Sequence, residues 1–226
     1  MKILIMAAMD KEMALLKDLL EEGHELTIDG YPVASGRISG HEVVVAKCGI
    51  GKVNAALNTY RLIRGFAPEL VINSGVAGGT GRLGIGELLV ATGAGCYDVW
   101  CGPGTERGEA DGYPKVMAAS EQVVDIARSQ LGDEGVGYGV IATGDVFVSS
   151  AEEVAMIRSV FPDALAVDME SAAIAQTCAL TGVPYSILRV VSDTPGEGEN
   201  VSQYVNFWTE APAKTFNAVK RIIAAL

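Results

Sequence analysis

Two apolar runs in this chain end on acids, and no other feature constrains its fold as tightly. Ala164-Leu165-Ala166-Val167 leads into Asp168-Met169-Glu170, and Tyr185-Ser186-Ile187-Leu188-Arg189-Val190-Val191 leads into Ser192-Asp193. Runs of this kind read as buried strands, at home in a sheet covered on both faces. A carboxylate at the end of such a strand loses hydration, which is expensive unless the group is paired or protonated. In parallel α/β sheets the carboxyl ends of the strands are where ligands bind. The runs therefore predict a pocket built from acids, with chemistry that uses their proton states.

The rest of the chain supports such a core. Apolar residues make up 49% of 226 and mean hydropathy is +0.28, which excludes disorder. No apolar run approaches the ~18 residues that span a bilayer. The opening Met1-Lys2-Ile3-Leu4-Ile5-Met6-Ala7-Ala8-Met9 superficially resembles a secretion signal, but Asp10-Lys11-Glu12 follows at once, so it reads as a buried first strand. Cys48, Cys96, Cys101 and Cys178 show no metal-type pairing and read as reduced thiols of a cytoplasmic protein. A net charge of −11 with scattered basic residues argues against nucleic acid as a partner. His24 and His41 are the only histidines, and neither sits in a recognisable Cys or Ser motif. Acid–base chemistry therefore falls to carboxylates, with no metal or other cofactor expected.

Periodicity and turn signals predict strands over 2–7, 24–28, 31–38, 42–47, 70–73, 88–92, 138–142, 164–167 and 185–191. Helices are expected over 10–22, 52–64, from the Ser120 cap to 131, and over 151–160, 171–180 and 201–225. Residues 93–115 read as a long surface loop. Strands alternating with helices after an early meander predict a three-layer α/β sandwich around a mixed sheet. With no repeat, linker or composition break, residues 1–226 are expected to form one domain.

Several motifs need weighing. Gly79-Thr80-Gly81-Arg82-Leu83-Gly84 fits the dinucleotide fingerprint by letter, but a strand rather than a helix is predicted after it. Gly49-Ile50-Gly51-Lys52 looks like a phosphate loop, yet Ala46 replaces its first glycine and Val53 its Ser or Thr. It reads as a tight strand-to-helix turn that can still line a pocket. Gly75-Val76-Ala77-Gly78-Gly79 follows a strand tip with bare backbone, against which a flat ligand or sugar could pack. Glu12, in the first turn of the first helix, complements the helix dipole, as Asp10 does. Strand alternation sends Asp168 and Glu170 to one face, and either could cap the following helix. Asp193 could serve an Asx-type turn before Thr194-Pro195-Gly196.

Taken together, these segments resemble the nucleoside phosphorylase/hydrolase superfamily, and within it the 5'-methylthioadenosine/S-adenosylhomocysteine nucleosidases. The resemblance is carried by Met6-Ala7-Ala8-Met9-Asp10-Lys11-Glu12, Gly49-Ile50-Gly51-Lys52-Val53 and Asn73-Ser74-Gly75-Val76-Ala77-Gly78-Gly79. Further on it rests on Thr143-Gly144-Asp145-Val146-Phe147-Val148, Val167-Asp168-Met169-Glu170-Ser171-Ala172-Ala173 and Arg189-Val190-Val191-Ser192-Asp193. It implies a three-layer α/β/α sandwich around a mixed, partly barrel-like central sheet, a homodimer, and hydrolysis of a small-molecule adenine nucleoside. The resemblance further implies that Glu12 is the general base on water, with Arg189 near that water. Asp193, helped by Ser192, would protonate N7 of the purine, and Glu170 would hold the ribose hydroxyls beneath Met169. Phe147 would stack on the base, the Val148 backbone would read its edge, and Met9 and Ile50 would contact the sugar and its 5' substituent. The bare backbone at Ala77 and Gly78 would also line the substrate.

The chain departs from the family at three places. Val76 stands where a hydroxyl residue is usual near the water, and Asp168 replaces a more usual Glu. The 96–114 loop, which in the family reaches the partner's 5' pocket, differs in length and composition. Phe207 and Trp208 are further candidates to close the pocket. Three alternatives compete: a purine nucleoside phosphorylase, a futalosine-type hydrolase, and an inactive nucleoside-binding or storage protein of the same fold.

Overall fold

A computed structural model describes residues 1–109, 112–196, 200–210 and 213–226. The chain begins with β1 (Lys2–Ala7), α1 (Asp10–Lys17), β2 (Glu21–Ile28), β3 (Tyr31–Ile38), β4 (His41–Lys47) and α2 (Lys52–Phe66). It continues with β5 (Leu70–Gly79), β6 (Leu88–Cys96), β7 (Met117–Ala118), α3 (Glu121–Leu131), β8 (Val136–Thr143) and α4 (Ala151–Val160). The last elements are β9 (Ala164–Asp168), α5 (Ser171–Thr181), β10 (Tyr185–Asp193), α6 (Asn200–Glu210) and α7 (Ala213–Ile223).

The strands form one mixed sheet in the order β10-β6-β8-β9-β5-β1-β4-β3-β2. β10 also pairs with β5, so β5, β10, β6, β8 and β9 close into a barrel. Parallel pairing of β1 with β4 and β5 extends that barrel into an open wing. The β10–β5 ladder slips between Val191 and Asp193, where two residues of β10 advance against one of β5. Such bulges re-aim side chains at strand ends, and this one falls on Ser192.

Strand alternation distributes the core to both faces. On β1, Ile3, Ile5 and Ala7 join a cluster with Leu16 of α1, Val123 of α3 and Val219 of α7. Leu4 and Met6 face the other way, onto Ala55 and Leu62 of α2 and Ile174 and Cys178 of α5. Burying side chains of this size contributes roughly 1.5–3 kcal/mol each. A third cluster packs Val154 and Ile157 of α4 against Tyr97, Ala142 and Val167. The sheet is thus covered by helices on both sides.

Four expectations from the sequence change. Residues 93–96, expected in the long surface loop, instead complete β6, with Gly93 and Ala94 paired to β7 and β8. The first helix stops at Lys17 rather than near 22, because Leu19 and Leu20 close it with tight turn bonds and Glu21 enters the ladder opposite Arg37. The segment expected as one closing helix is two, α6 and α7, with Pro212, a residue without an N–H, falling between them in the sequence. Gly75 to Gly79 are not a turn after a strand. They continue β5, paired from Gly75 to Gly78 with Arg189 to Asp193 of β10, while Gly79 pairs with Ala166 of β9. Among the described residues no helix is long and apolar enough to cross a membrane.

Candidate active site

The carboxyl ends of β1, β5, β8, β9 and β10 converge on one cavity. The twelve residues expected at a site (Met9, Glu12, Ile50, Ala77, Gly78, Phe147, Val148, Met169, Glu170, Arg189, Ser192 and Asp193) all line it.

Glu12 reaches back from the first turn of α1, and the capping-box geometry of that turn makes it an acceptor for its own helix start. Its Oε2 accepts from the N–H groups of Ala8 at 2.9 Å and Met9 at 3.0 Å, and its Oε1 from Val76 N–H at 3.0 Å. Burial raises its pKa, while Arg189 and these three N–H groups act in the opposite direction. The contact with β5 requires Gly75: a Cβ there would lie 2.3 Å from Glu12 Oε1 and 3.0 Å from Arg189 Nη1.

Asp168 and Glu170 both line the cavity, as one shared face would have them, but they belong to different elements and take different partners. Asp168 closes β9 and accepts from Arg189 Nη2 at 2.9 Å, from Thr143 Oγ1 at 2.6 Å and from the Ser171 hydroxyl at 2.5 Å. Glu170 has already left the strand, at φ −131 and ψ −38, and precedes α5. Its Oε1 accepts from Gly51 N–H at 2.9 Å. Burial, reinforced by Asp168, pushes its pKa up to about 7 against the opposing pull of Arg189 and Gly51.

Arg189 is fully buried on β10, where its charge is matched by acids. Nη2 donates to Asn73 Oδ1 at 2.5 Å as well as to Asp168. Burial alone would lower its pKa, but Asp168, Glu12 and Glu170 together raise it, so the guanidinium stays charged. Among the described residues its Nη1 has no hydrogen-bond partner. The nitrogen that Asp168 and Asn73 leave uncommitted is therefore the one beside Gly75 and Glu12.

Asp193 sits just past the bulge. Ser192 Oγ lies 2.7 Å from Asp193 Oδ1 and 3.2 Å from the Ala77 carbonyl, and its single proton serves one acceptor at a time. Asn200 Nδ2 donates to Asp193 Oδ2 at 3.4 Å and to the Val148 carbonyl at 3.3 Å. Burial raises the Asp193 pKa; Ser192 and Asn200 oppose it.

The apolar side of the cavity includes residues that sequence reasoning missed. Tyr204 of α6 lines it, meets the Phe147 ring edge-on at 5.8 Å, and donates its hydroxyl to Met9 Sδ at 3.3 Å. Phe207 instead lies in the apolar cluster under α7, while the Trp208 side chain lies outside the described residues. Asn73 and Asn200 were also missed, since nothing in their neighbourhoods marks them apart from other strand or helix-start asparagines. Among the described residues, no three His, Cys, Asp or Glu are grouped to hold a metal.

A family model, the phosphorylase superfamily, matches residues 2–224. A 5'-methylthioadenosine/S-adenosylhomocysteine nucleosidase from Geobacillus sp. (strain WCH70) is 39% identical over 231 residues, spanning 100% of this chain and 99% of the relative. The chain belongs to the 5'-methylthioadenosine/S-adenosylhomocysteine nucleosidase family of this superfamily. Its fold is similar to the nucleosidase of S. pneumoniae with a transition-state inhibitor, MT-ImmA, at a TM-score of 0.94 and 31% identity over 100% of this chain and 99% of that one. The nucleosidase of Neisseria meningitidis in complex with methylthio-immucillin-A is similar at a TM-score of 0.93 and 35% identity, again covering 100% and 99%. Nucleosidases of this family are N-glycosyl hydrolases.

Proposed function

We propose that this chain hydrolyses the N-glycosidic bond of 5'-methylthioadenosine and S-adenosylhomocysteine, releasing adenine. The observation that carries the reading is the set of three buried carboxyls, Glu12, Glu170 and Asp193, brought to one cavity from three separate elements with different partners. Adenine is a poor leaving group unless protonated. Asp193, raised by burial, gives its proton to N7 as the C1'–N9 bond breaks. Glu12 takes a proton from water, whose oxygen bonds to C1'. Glu170 accepts from the ribose hydroxyls, and its negative charge favours the oxocarbenium-like sugar. The uncommitted Arg189 Nη1 is available to orient the water. Phe147 stacks on the base, Val148 offers its backbone to the adenine edge, and Met9, Ile50 and Met169 contact the sugar and 5' substituent.

Hydrolysis is favoured over phosphorolysis on charge. Phosphate needs converging arginines, whereas the arginine lining this cavity is already ion-paired with Asp168, and Glu12 would repel an anion. Asp193 favours adenine, whose 6-amino group is a donor, over hypoxanthine, for which an amide would serve better. An inactive binding protein has no use for three carboxyls whose charged forms burial disfavours.

The reading includes a homodimer and a single catalytic unit spanning residues 1–226. Support for the unit comes from the site itself, which draws Glu12 from one end of the chain and Tyr204 from the other. The test is adenine release from 5'-methylthioadenosine, S-adenosylhomocysteine and deoxyadenosine, with and without phosphate. Release independent of phosphate is expected. A requirement for phosphate would overturn the hydrolase reading.

A further inference from the structure

The Gly49-Ile50-Gly51-Lys52 turn resembles a phosphate loop by letter, but Lys52 is committed elsewhere. Its Nζ donates to Asp98 Oδ1 at 2.6 Å and lies 3.9 Å from Asp145 Oδ2. Its main-chain N–H donates to Asp145 Oδ1 at 2.8 Å, and Asp145 N–H donates to Asp98 Oδ2 at 3.1 Å. Each of these residues touches the other two, and together they tie three loops: the turn before α2, whose first residue is Lys52, and the loops after β6 and after β8. A lone exposed ion pair of this kind contributes little to stability. This ring differs because two of its bonds hold main-chain N–H groups, so it fixes backbone.

Two of the three loops carry the cavity. Gly51, next to Lys52, gives its N–H to Glu170, and Ile50 lines the wall. Gly51 has φ +89, which glycine adopts without strain, and a Cβ there would come 3.2 Å from Asp145 Oδ1. Asp145 is followed directly by Val146, Phe147 and Val148, all lining residues. Asp98 follows Tyr97, whose ring would be 2.3 Å from a Cβ on Gly144, so the third loop is packed against the second. None of Lys52, Asp98 and Asp145 lines the cavity.

We propose that Lys52, Asp98 and Asp145 are positioning residues that hold the Glu170-binding turn in register with the Phe147–Val148 loop. The sugar and base ends of one nucleoside are then engaged together. This inference rests on the nucleosidase reading above. Its consequence is selective. A ligand spanning both loops depends on the ring, whereas adenine, which occupies only the base side, does not.

The experiment measures kcat and KM for 5'-methylthioadenosine and the inhibition constant of adenine, in wild type and in Lys52→Met, Asp145→Ala and Asp145→Asn, with thermal melts of each. Lys52→Met and Asp145→Ala are expected to raise KM about tenfold, with kcat and the adenine constant moving less than about threefold, the pattern of lost ground-state binding. Asp145→Asn keeps an acceptor for Lys52 N–H and is expected to recover most of the loss. KM and the adenine constant rising together, or neither moving while the melting temperature falls, would overturn the ring's role. A wild type that releases no adenine would strike the nucleosidase reading itself, and the inference with it. A normal wild type with an unmoved ratio strikes the inference alone.

Discussion

Glu12, Glu170 and Asp193 share a buried setting that raises the pKa of all three, so burial alone cannot assign their proton states. Their hydrogen-bond partners can. Glu12 accepts three main-chain N–H groups that cannot rotate away, an arrangement that favours the anion. Asp193 faces a hydroxyl that can turn to Ala77 instead and a long contact from Asn200, so its neutral form is tolerated. The sign of the pH dependence follows. In the proposed mechanism Glu12 and Glu170 act as anions, so activity is expected to fall on the acid side as they protonate. In the same mechanism Asp193 acts as the acid, so activity is expected to fall as pH rises through its raised pKa. Asp193→Asn is expected to lower kcat/KM by ~10²–10⁴-fold and to remove the alkaline fall, since an amide donates a hydrogen bond but transfers no proton. A pH profile of kcat/KM checks this, and an Asp193→Asn variant that keeps both its rate and its alkaline fall refutes the assignment.

At the scale of elements, β5 is shaped by what it must let through. Gly75 lies within the strand with no left-handed backbone angle, so alanine would fit its conformation. The obstacle is the space already held by Glu12 Oε1 and Arg189 Nη1. Gly75→Ala is therefore expected to leave the fold intact, judged by circular dichroism and melting. It should lower kcat by about 10²-fold through displacement of Glu12, the proposed base, since misplacement of about 1 Å can have that effect. Near-normal kcat would show that Glu12 need not lie against β5. The same strand shows what was legible beforehand. The apolar runs ending at Asp168 and Asp193 announced buried strands, and Glu12, Glu170 and Asp193 were readable as strand-end or helix-start acids. The length of β5 was not, because glycines and alanines continue a strand only when a partner ladder holds them, and β10 lies more than a hundred residues on. Nor was the division of partners between Asp168 and Glu170, which depends on where β9 ends and on a cation from β10. Tyr204 was hidden for a similar reason: only the docking of α6 on β10 brings its ring to Phe147.

At the scale of the whole molecule, one surface remains to be accounted for. On α2, Val53, Leu57 and Tyr60 are 69%, 63% and 52% exposed, at the spacing that places them on one helix face. Ile50, on the turn leading into this helix, is also exposed, as are Val146 and Phe147 at the cavity, so apolar surface occurs both on the helix and at the mouth. Exposed apolar side chains gathered on one helix face are a signature of association sites. A second copy is the occupant that the family resemblance implies, and a two-fold interface would set the same helix against itself or its neighbour. Placing a charge on the stripe tests this without touching a lining residue. For the proposed homodimer, Leu57→Glu is expected to shift the sedimentation-equilibrium profile from dimer to monomer. It should also raise KM for 5'-methylthioadenosine several-fold, roughly 1 kcal/mol of lost binding, because Ile50 and Phe147 would lose their cover. A wild type that is monomeric and fully active at assay concentrations would mean that the cavity is complete within one chain.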